Sequence, residues 1–297
     1  MIITPDASLI GATQAWSPLT SFIGRKSSAA DDLMESLFSN GEKGCYYDPL
    51  DLNTLFQDTF GTLPITGSGQ PVGLFLDKKN GLTLLDSGVV DQELNNSGAW
   101  FNTNTWTVAG GSASAVNVSN GLYQGNRIQA GKLYKATITV DLISGQLYLP
   151  YDGYPANSLL VSQSGTYTRY FFGTLSNFYA AFGVSFTGSV RNLSIVQVAG
   201  NHAYQTTALS KPQFMGNPSR VVYDGIDDQL VTQFGEILTG CTVARSVPGI
   251  GAVFLTGQAI PATYVDSLSH AGLVIINRAL SLLETTQLTQ ILNQRII

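Results

Sequence analysis

The side chains able to do chemistry are few in this chain, and their spacing limits what they can do. Within residues 95 to 199 the acids are Asp141 and Asp152. A glycoside hydrolase ordinarily needs two facing carboxylates about 5 to 9.5 Å apart. Asp152 sits in PYDGYP, where an Asp-Gly pair has a backbone role in a turn, so hydrolysis by this stretch is not expected. Asp224, Asp227 and Asp228 in YDGIDDQL bring hard oxygen ligands close together, as calcium requires. A turn at Asp224-Gly225, with the other aspartates capping backbone amides or facing water, explains the same spacing, and no metal is expected. His202 and His270 are the chain's two histidines, and neither has the Ser or Cys setting of a triad. Cys45 and Cys241 lack a CxxC spacing and read as ordinary buried thiols. With no glycine-rich phosphate loop either, the expectation is a protein without catalytic residues and without a cofactor.

Sugar binding draws on other residues: aromatic faces that stack on a pyranose, and amides and carboxylates that bond its hydroxyls. LYLPYDGYPANS supplies Tyr148, Tyr151, Asp152, Tyr154 and Asn157 in a turn-rich stretch, and TYTRYFF adds Tyr167, Arg169 and Tyr170. In a strand Tyr148 alternates with Leu147 and Leu149, so the two classes point to opposite faces. Tyr151 and Tyr154 are the best surface candidates. The alternative is that these tyrosines cover the core or a subunit interface, which are the commoner uses of tyrosine.

These residues lie on elements that read as strands. Residues 95 to 199 hold short β-branched and aromatic runs, such as KLYKATITVDLISGQLYL and GSVRNLSIVQV, punctuated by Gly and Asn turns. That pattern predicts an antiparallel β-sandwich or jelly roll. SSAADDLMESLFSN spaces Leu33, Met34, Leu37 and Phe38 as a short helix over residues 28 to 39. DPLDLNTLF predicts a turn and one helical turn capped by Asp48 or Asp51, and Pro71 opens an edge strand through Leu76. VVYDGIDDQLV predicts a strand, a DG turn and another strand, and the apolar run AGLVIINRAL a strand buried on both faces. Ser281 and Glu284 have capping-box spacing ahead of Leu288, Ile291 and Leu292, which predicts a final helix over 282 to 294.

Charged residues make up 12% of the 297 residues, with a net charge of -5, against roughly a quarter in ordinary soluble domains. The surface is therefore neutral and hydroxyl-rich, and no Lys/Arg cluster is in place to neutralise nucleic-acid phosphates. No run on the order of 18 apolar residues is present, so no membrane insertion is expected. Met1 is followed by neither a basic nor an apolar export segment, so a route out of a cell is expected to be release by lysis.

Two distant stretches carry a resemblance. YYDPLDLNTLFQDTFGTLPITGSGQPVGLFLDKKNG, joined to GNHAYQTTALSKPQF and VVYDGIDDQLVT, resembles the concanavalin A-like (laminin G-like) domain of tailed-phage structural proteins. In many of these a D-K-S-G-like element runs directly into N-H-A-x-Q. Here Lys79-Asn80-Gly81 and Asn201-His202-Ala203 stand about 120 residues apart. The intervening part, from LDSGVVDQELNNSGAWFNTNTWTVAGGSASA to FTGSVRNLSIVQV, is similar to a carbohydrate-binding-module-like jelly roll, in which Trp100 and Trp106 are core residues. GLVIINRALSLLETTQLTQILNQRI looks like the closing strand and helix of the lectin-like domain. Only about forty residues separate YDGIDDQL from that closing strand, which implies a reduced sandwich with edges open to partner chains.

The resemblance implies a mainly β fold: an antiparallel jelly roll inserted into a reduced lectin-like β-sandwich, with short N-terminal and C-terminal helices. Residues 1 to 40 are expected to form an N-terminal arm or anchor, the alternative being a helix packed on its own domain, with 41 to 85 and 200 to 297 the discontinuous lectin-like domain, and 86 to 199 the insert. The implied function is that of a non-enzymatic virion protein, fibre- or adhesin-like, touching host-surface glycan weakly. The alternative is a capsid decoration or tail connector protein making only protein contacts. Expected partners are other virion proteins and copies of itself, with a trimer favoured by analogy with phage fibres.

Overall fold

The computed structural model describes residues 29 to 149, 158 to 173 and 178 to 296, without the side chains of 178 and 179. Over these residues the protein is mainly β, with antiparallel sheets and two short α-helices, one of them near the C-terminus. Two long strands, Leu133–Leu149 and Phe178–Val198, form the spine of an eight-stranded sheet. At 17 and 21 residues they far exceed the usual strand of about five or six. They stay in one sheet because they bend. Their mutual register shifts between Val184 and Thr187, between Thr187 and Gly188, and between Arg191 and Ser194. At the bend Gly145 has φ +79, and a Cβ there would lie 2.1 Å from the Ser185 carbonyl oxygen, so only glycine fits.

The bend turns both halves of the sheet toward one core. Tyr134, Ala136, Ile138 and Val140 point inward from the first half, and Leu147, Leu149 and Ala181 from the second. Trp106 stacks on Phe186 with ring centres 5.4 Å apart and donates from Nε1 to Asn120 Oδ1 at 3.0 Å, so its one polar atom is satisfied. Trp100 is likewise buried. This core draws only on residues between Val89 and Ile195. The sheet's other face is polar: Thr137 meets Thr168 and Thr139 meets Thr166, each hydroxyl pair at 2.9 Å, and Asp141 binds Arg191 at 2.8 Å.

The flanking segments build a second sandwich. A four-stranded sheet holds Gly44–Tyr47, Leu273–Ile276, Leu238–Val247 and Gly251–Ile260 in that spatial order, and a five-stranded sheet includes Leu74–Phe75, Ala203–Tyr204 and Leu230–Gln233. Tyr47, Phe75, Phe214, Val243 and Ile275 fill the core between them. Leu273–Ile276 is buried along its whole length, as its unbroken apolar run predicts. Leu273 and Ile275 face this core, while Val274 and Ile276 face the helices. There α1 (Ala29–Leu37) contributes Met34 and Leu37, and α2 (Leu282–Asn293) contributes Leu288 and Leu292. Each such side chain contributes about 1.5 to 3 kcal/mol by leaving water. The Ser281 and Glu284 capping box starts α2 as its spacing predicts.

Other local expectations resolve in detail. Asp51 caps the short turn Leu52–Thr54, while Asp48 instead binds Arg295 near the chain's end. The strands on either side of the DG turn both form, but they do not pair with each other. Arg220–Val222 joins a three-stranded sheet and Leu230–Gln233 the five-stranded one. The reason is the length of the aspartate-rich turn, whose residues bond among themselves and carry the chain from one sheet to the next.

Insert and flank meet through a fourth apolar cluster. Phe56, Leu74 and Leu76 from the flank pack with Leu133, Tyr170 and Val198 from the insert. The chain leaves the flank through Asp77 to Gly81, ahead of Leu84–Asp86, which pairs with the insert's sheet, and returns at Asn201, beside the adjacent strands Leu74–Phe75 and Ala203–Tyr204.

Candidate functional site

The crossing point is closed by hydrogen bonds between residues far apart in sequence. Asp77 is fully buried, and its carboxylate accepts from three backbone amides: Tyr46 at 2.8 Å, Lys79 at 2.9 Å and Asn201 at 2.8 Å. Asn201 also donates from Nδ2 to the Gly44 carbonyl at 2.7 Å, and its own carbonyl accepts from the Tyr47 hydroxyl. His202 Nδ1 accepts from the Asp77 amide at 3.0 Å, and Nε2 lies 3.2 Å from the Val198 carbonyl. An amide can only donate, so the imidazole proton sits on Nε2. Burial pushes the Asp77 carboxyl up to about 6, against the opposing pull of Lys79 and the amide donors. Burial pushes His202 down to about 4, with Lys132 and Lys79 acting in the same sense.

Immediately outside this lock lies a cleft of about 280 Å³ with walls from both parts of the fold. Lys43, Lys79 and Asn201 come from the flank, and Lys132 and Gln197 from the insert. Lys43 pairs with Glu236 at 2.6 Å. Lys79 and Lys132 are half-buried, and no described carboxylate forms an ion pair with either. The Lys79 ammonium lies 5.5 Å from the centre of the Phe38 ring. Sequence reading missed this cleft because its lysines come from three separated segments. The visible signal was the KK pair inside the stretch that carries the lectin-like resemblance.

Among the sugar-binding candidates, Tyr148 is half-buried at the end of Leu133–Leu149, opposite Leu160 and Phe182. Tyr151, Asp152, Tyr154 and Asn157 lie outside the described residues. The TYTRYFF residues divide. Tyr167 is half-buried and donates to the Gln163 carbonyl at 2.8 Å. Arg169 and Tyr170 are not surface groups. The Arg169 guanidinium lies 3.9 Å from the centre of the Phe60 ring and donates to the Leu149 carbonyl, and the Tyr170 amide bonds the Phe60 carbonyl at 2.8 Å. These two residues fasten the insert to a flank loop, and Tyr170 also packs with Phe56, Leu74 and Leu76 of the flank.

Asp224, Asp227 and Asp228 bring carboxylate oxygens within 4.8 Å of one another. Asp224 Oδ1 accepts from the amides of Ile226, Asp227 and Asp228, Asp228 Oδ2 accepts from the Asp224 amide, and Asp227 takes the Ser210 hydroxyl. This is the turn-capping arrangement: one oxygen of each aspartate is engaged by the chain itself.

His270 joins a sealed charge cluster. Its Nε2 lies 3.1 Å from Asp266 Oδ2, Arg245 Nη1 lies 2.7 Å from Asp266 Oδ1, and the Tyr223 hydroxyl donates to Asp266 at 3.1 Å. Burial opposes ionisation of Asp266, but His270 and Arg245 outweigh it and hold the carboxyl down at about 2. No Ser or Cys nucleophile bonds this histidine among the described residues, and the cluster opens onto none of the described clefts. It cross-links strands.

Compared with known proteins, the chain matches no protein family and no curated protein.

Proposed function

We propose that this chain is a non-enzymatic structural protein of a tailed-phage virion, a fibre- or adhesin-like component that contacts the host surface. One observation carries the reading. The two halves of the lectin-like motif, Asp77 to Gly81 and Asn201 to Ala203, meet in space and bond each other around an inserted jelly-roll-like sandwich. This is what the resemblance to interrupted phage lectin-like domains implies. The hydroxyl-paired outer face of the insert suits weak contact with sugar hydroxyls. Many copies on one particle raise such weak contacts to useful avidity. On this reading the protein is virion-borne, assembled in the host cytoplasm and released by lysis.

The test is binding of purified protein to host cells and to their extracted surface polysaccharide, beside a Tyr151→Ala/Tyr154→Ala variant. Saturable binding that the variant loses supports attachment through the insert. A folded, correctly assembled sample that binds neither cells nor polysaccharide refutes attachment.

A second reading, as a decoration or connector protein, is favoured by the burial of Arg169 and Tyr170 in a protein contact. It predicts that the tyrosine changes lower the protein's copy number on the particle and leave cell binding absent throughout.

A further inference from the structure

We infer that the cleft between insert and flank binds an acidic saccharide unit, with a uronate carboxylate seated between Lys79 and Lys132. The inference rests on the glycan-contact reading above and names the sugar class.

Charge is the first argument. The chain carries a net -5, yet this cleft gathers three lysines against the single carboxylate of Glu236. Lys43 and Glu236 neutralise each other at 2.6 Å. The balance falls on Lys79 and Lys132, which have no ion-pair partner among the described residues. The buried Asp77 carboxylate interacts with Lys79 and offsets part of its charge, leaving Lys132 as the uncompensated cation of the cleft. Two half-buried lysines lining one concave space favour an anion there, and the low-dielectric walls strengthen that attraction.

Shape and lining point to a sugar and not to a bare inorganic ion. About 280 Å³ is just below the range of small-molecule sites and suits one pyranose ring with part of its neighbour. Asn80 and Gln197 offer amide groups for ring hydroxyls, and the exposed Leu85 offers an apolar side chain for a sugar's C–H face. The site is also held rigid. The lock formed by Asp77, Asn201 and His202 holds the backbone that carries Lys79, and Gly200, at φ +137, is tightly packed: a Cβ there would lie 3.1 Å from Asp77 and from His202. Because Lys79 belongs to the flank and Lys132 to the insert, the site exists only where the jelly roll interrupts the lectin-like sandwich.

The experiment is calorimetric titration of the full chain with tri-galacturonate, with uncharged galactotriose and inorganic phosphate as parallel ligands. The expected result is saturable binding of tri-galacturonate that weakens with added salt, little binding of galactotriose, and weaker binding of phosphate. Lys79→Gln and Lys132→Gln are each expected to weaken tri-galacturonate binding about tenfold or more, and Lys43→Gln far less. Should either variant lose its fold, amine acetylation of the wild-type chain replaces it: bound tri-galacturonate is expected to protect Lys79 and Lys132 selectively. Absent binding, equal binding of galactotriose, tighter binding of phosphate alone, or indifference to both lysines overturns the inference. Cell attachment that survives the Lys79→Gln/Lys132→Gln change removes this site and leaves the attachment reading standing. Uronate binding by a chain that attaches to no cell does the reverse.

Discussion

The backbone amide of Asp77 donates to Nδ1 of His202 at 3.0 Å across 125 positions of chain. That bond uses the nitrogen a second proton would need, so charging His202 requires breaking the link between the two ends of the insertion. The bond thus joins the two halves of the flank that the insert separates in sequence.

The pH dependence of this seam follows from two opposed groups. His202 falls from 6.5 to about 4 on folding, so its contribution is complete above pH 6.5 and is lost as pH falls toward 4. Asp77 rises from 3.8 to about 6, so its contribution is complete below 3.8 and is lost as pH rises through 6. Each is worth about 3 kcal/mol at most, and between pH 4 and 6 their slopes of about 1.4 kcal/mol per pH unit cancel. Asp77→Asn is expected to expose the histidine slope, with stability climbing from pH 4 to 6.5. His202→Gln is expected to expose the opposite slope, falling from pH 4 to 6. Urea denaturation at half-unit pH intervals checks both, and parallel profiles for the two variants would refute the assignment.

Gly44 lies where Gly44–Tyr47 pairs with Leu273–Ile276. Its φ is +143, and a Cβ would stand 1.8 Å from the Ile275 carbonyl oxygen, a backbone atom held in the middle of the sheet. Gly44→Ala is therefore expected to cost about 3 kcal/mol or more, through strain and through displacement of the Gly44 carbonyl from Asn201. Thermal melting of the purified variant measures this. A melting temperature within a degree or so of wild type would show that the two strands separate without penalty.

The repeating signals in the sequence were legible. Alternation over KLYKATITV found the insert's inner face, the capping box at Ser281 and Glu284 found α2, and the apolar LVII found a strand covered on both faces. What periodicity cannot carry is pairing between distant segments. Asp266 and Arg245 stand on different strands, and nothing local marks them as partners. Similarly, Arg169 and Tyr170 have the composition of a sugar platform, and only the Phe60 loop, more than a hundred residues earlier, turns them into an internal contact. The lysine cleft was hidden for the same reason, since three segments must converge before it exists.

The buried cluster around Asp266 yields a prediction of its own. Asp266→Ala leaves the Arg245 guanidinium, only 9% exposed, without its counter-charge. Such a change is expected to cost roughly 3 to 5 kcal/mol. Removing both groups in Asp266→Leu/Arg245→Met is expected to be milder than the sum of the two single changes, because the Arg245 guanidinium is no longer left buried without a carboxylate. A double-mutant cycle by chemical denaturation measures the coupling, and simple additivity would show that the pair is solvated.

Association is expected to use the strand Gly251–Ile260. Among the described strands it pairs only with Leu238–Val247; on its other edge the Ala252 amide donates to Asn293 Oδ1 of α2, and the remainder of that edge pairs with no described strand. Its sequence, GAVFLTGQAI, contains no charge and no proline, two of the devices by which edge strands of monomers avoid pairing, while its register against Leu238–Val247 shifts between Leu255 and Gln258, where Gly257 has φ +69. Leu255 is 52% exposed along it. A second copy can extend the sheet there, its backbone groups replacing water, and a lysine in the middle of the edge would place a charge against the incoming strand. Leu255→Lys is therefore expected to lower the assembly state while leaving the melting of the isolated chain nearly unchanged, since the side chain already faces solvent. Light scattering across a concentration series distinguishes the outcomes. Assembly that survives the substitution would move the contact to another surface, and a wild-type chain that stays monomeric at high concentration would mean that this edge is guarded by something other than its own sequence.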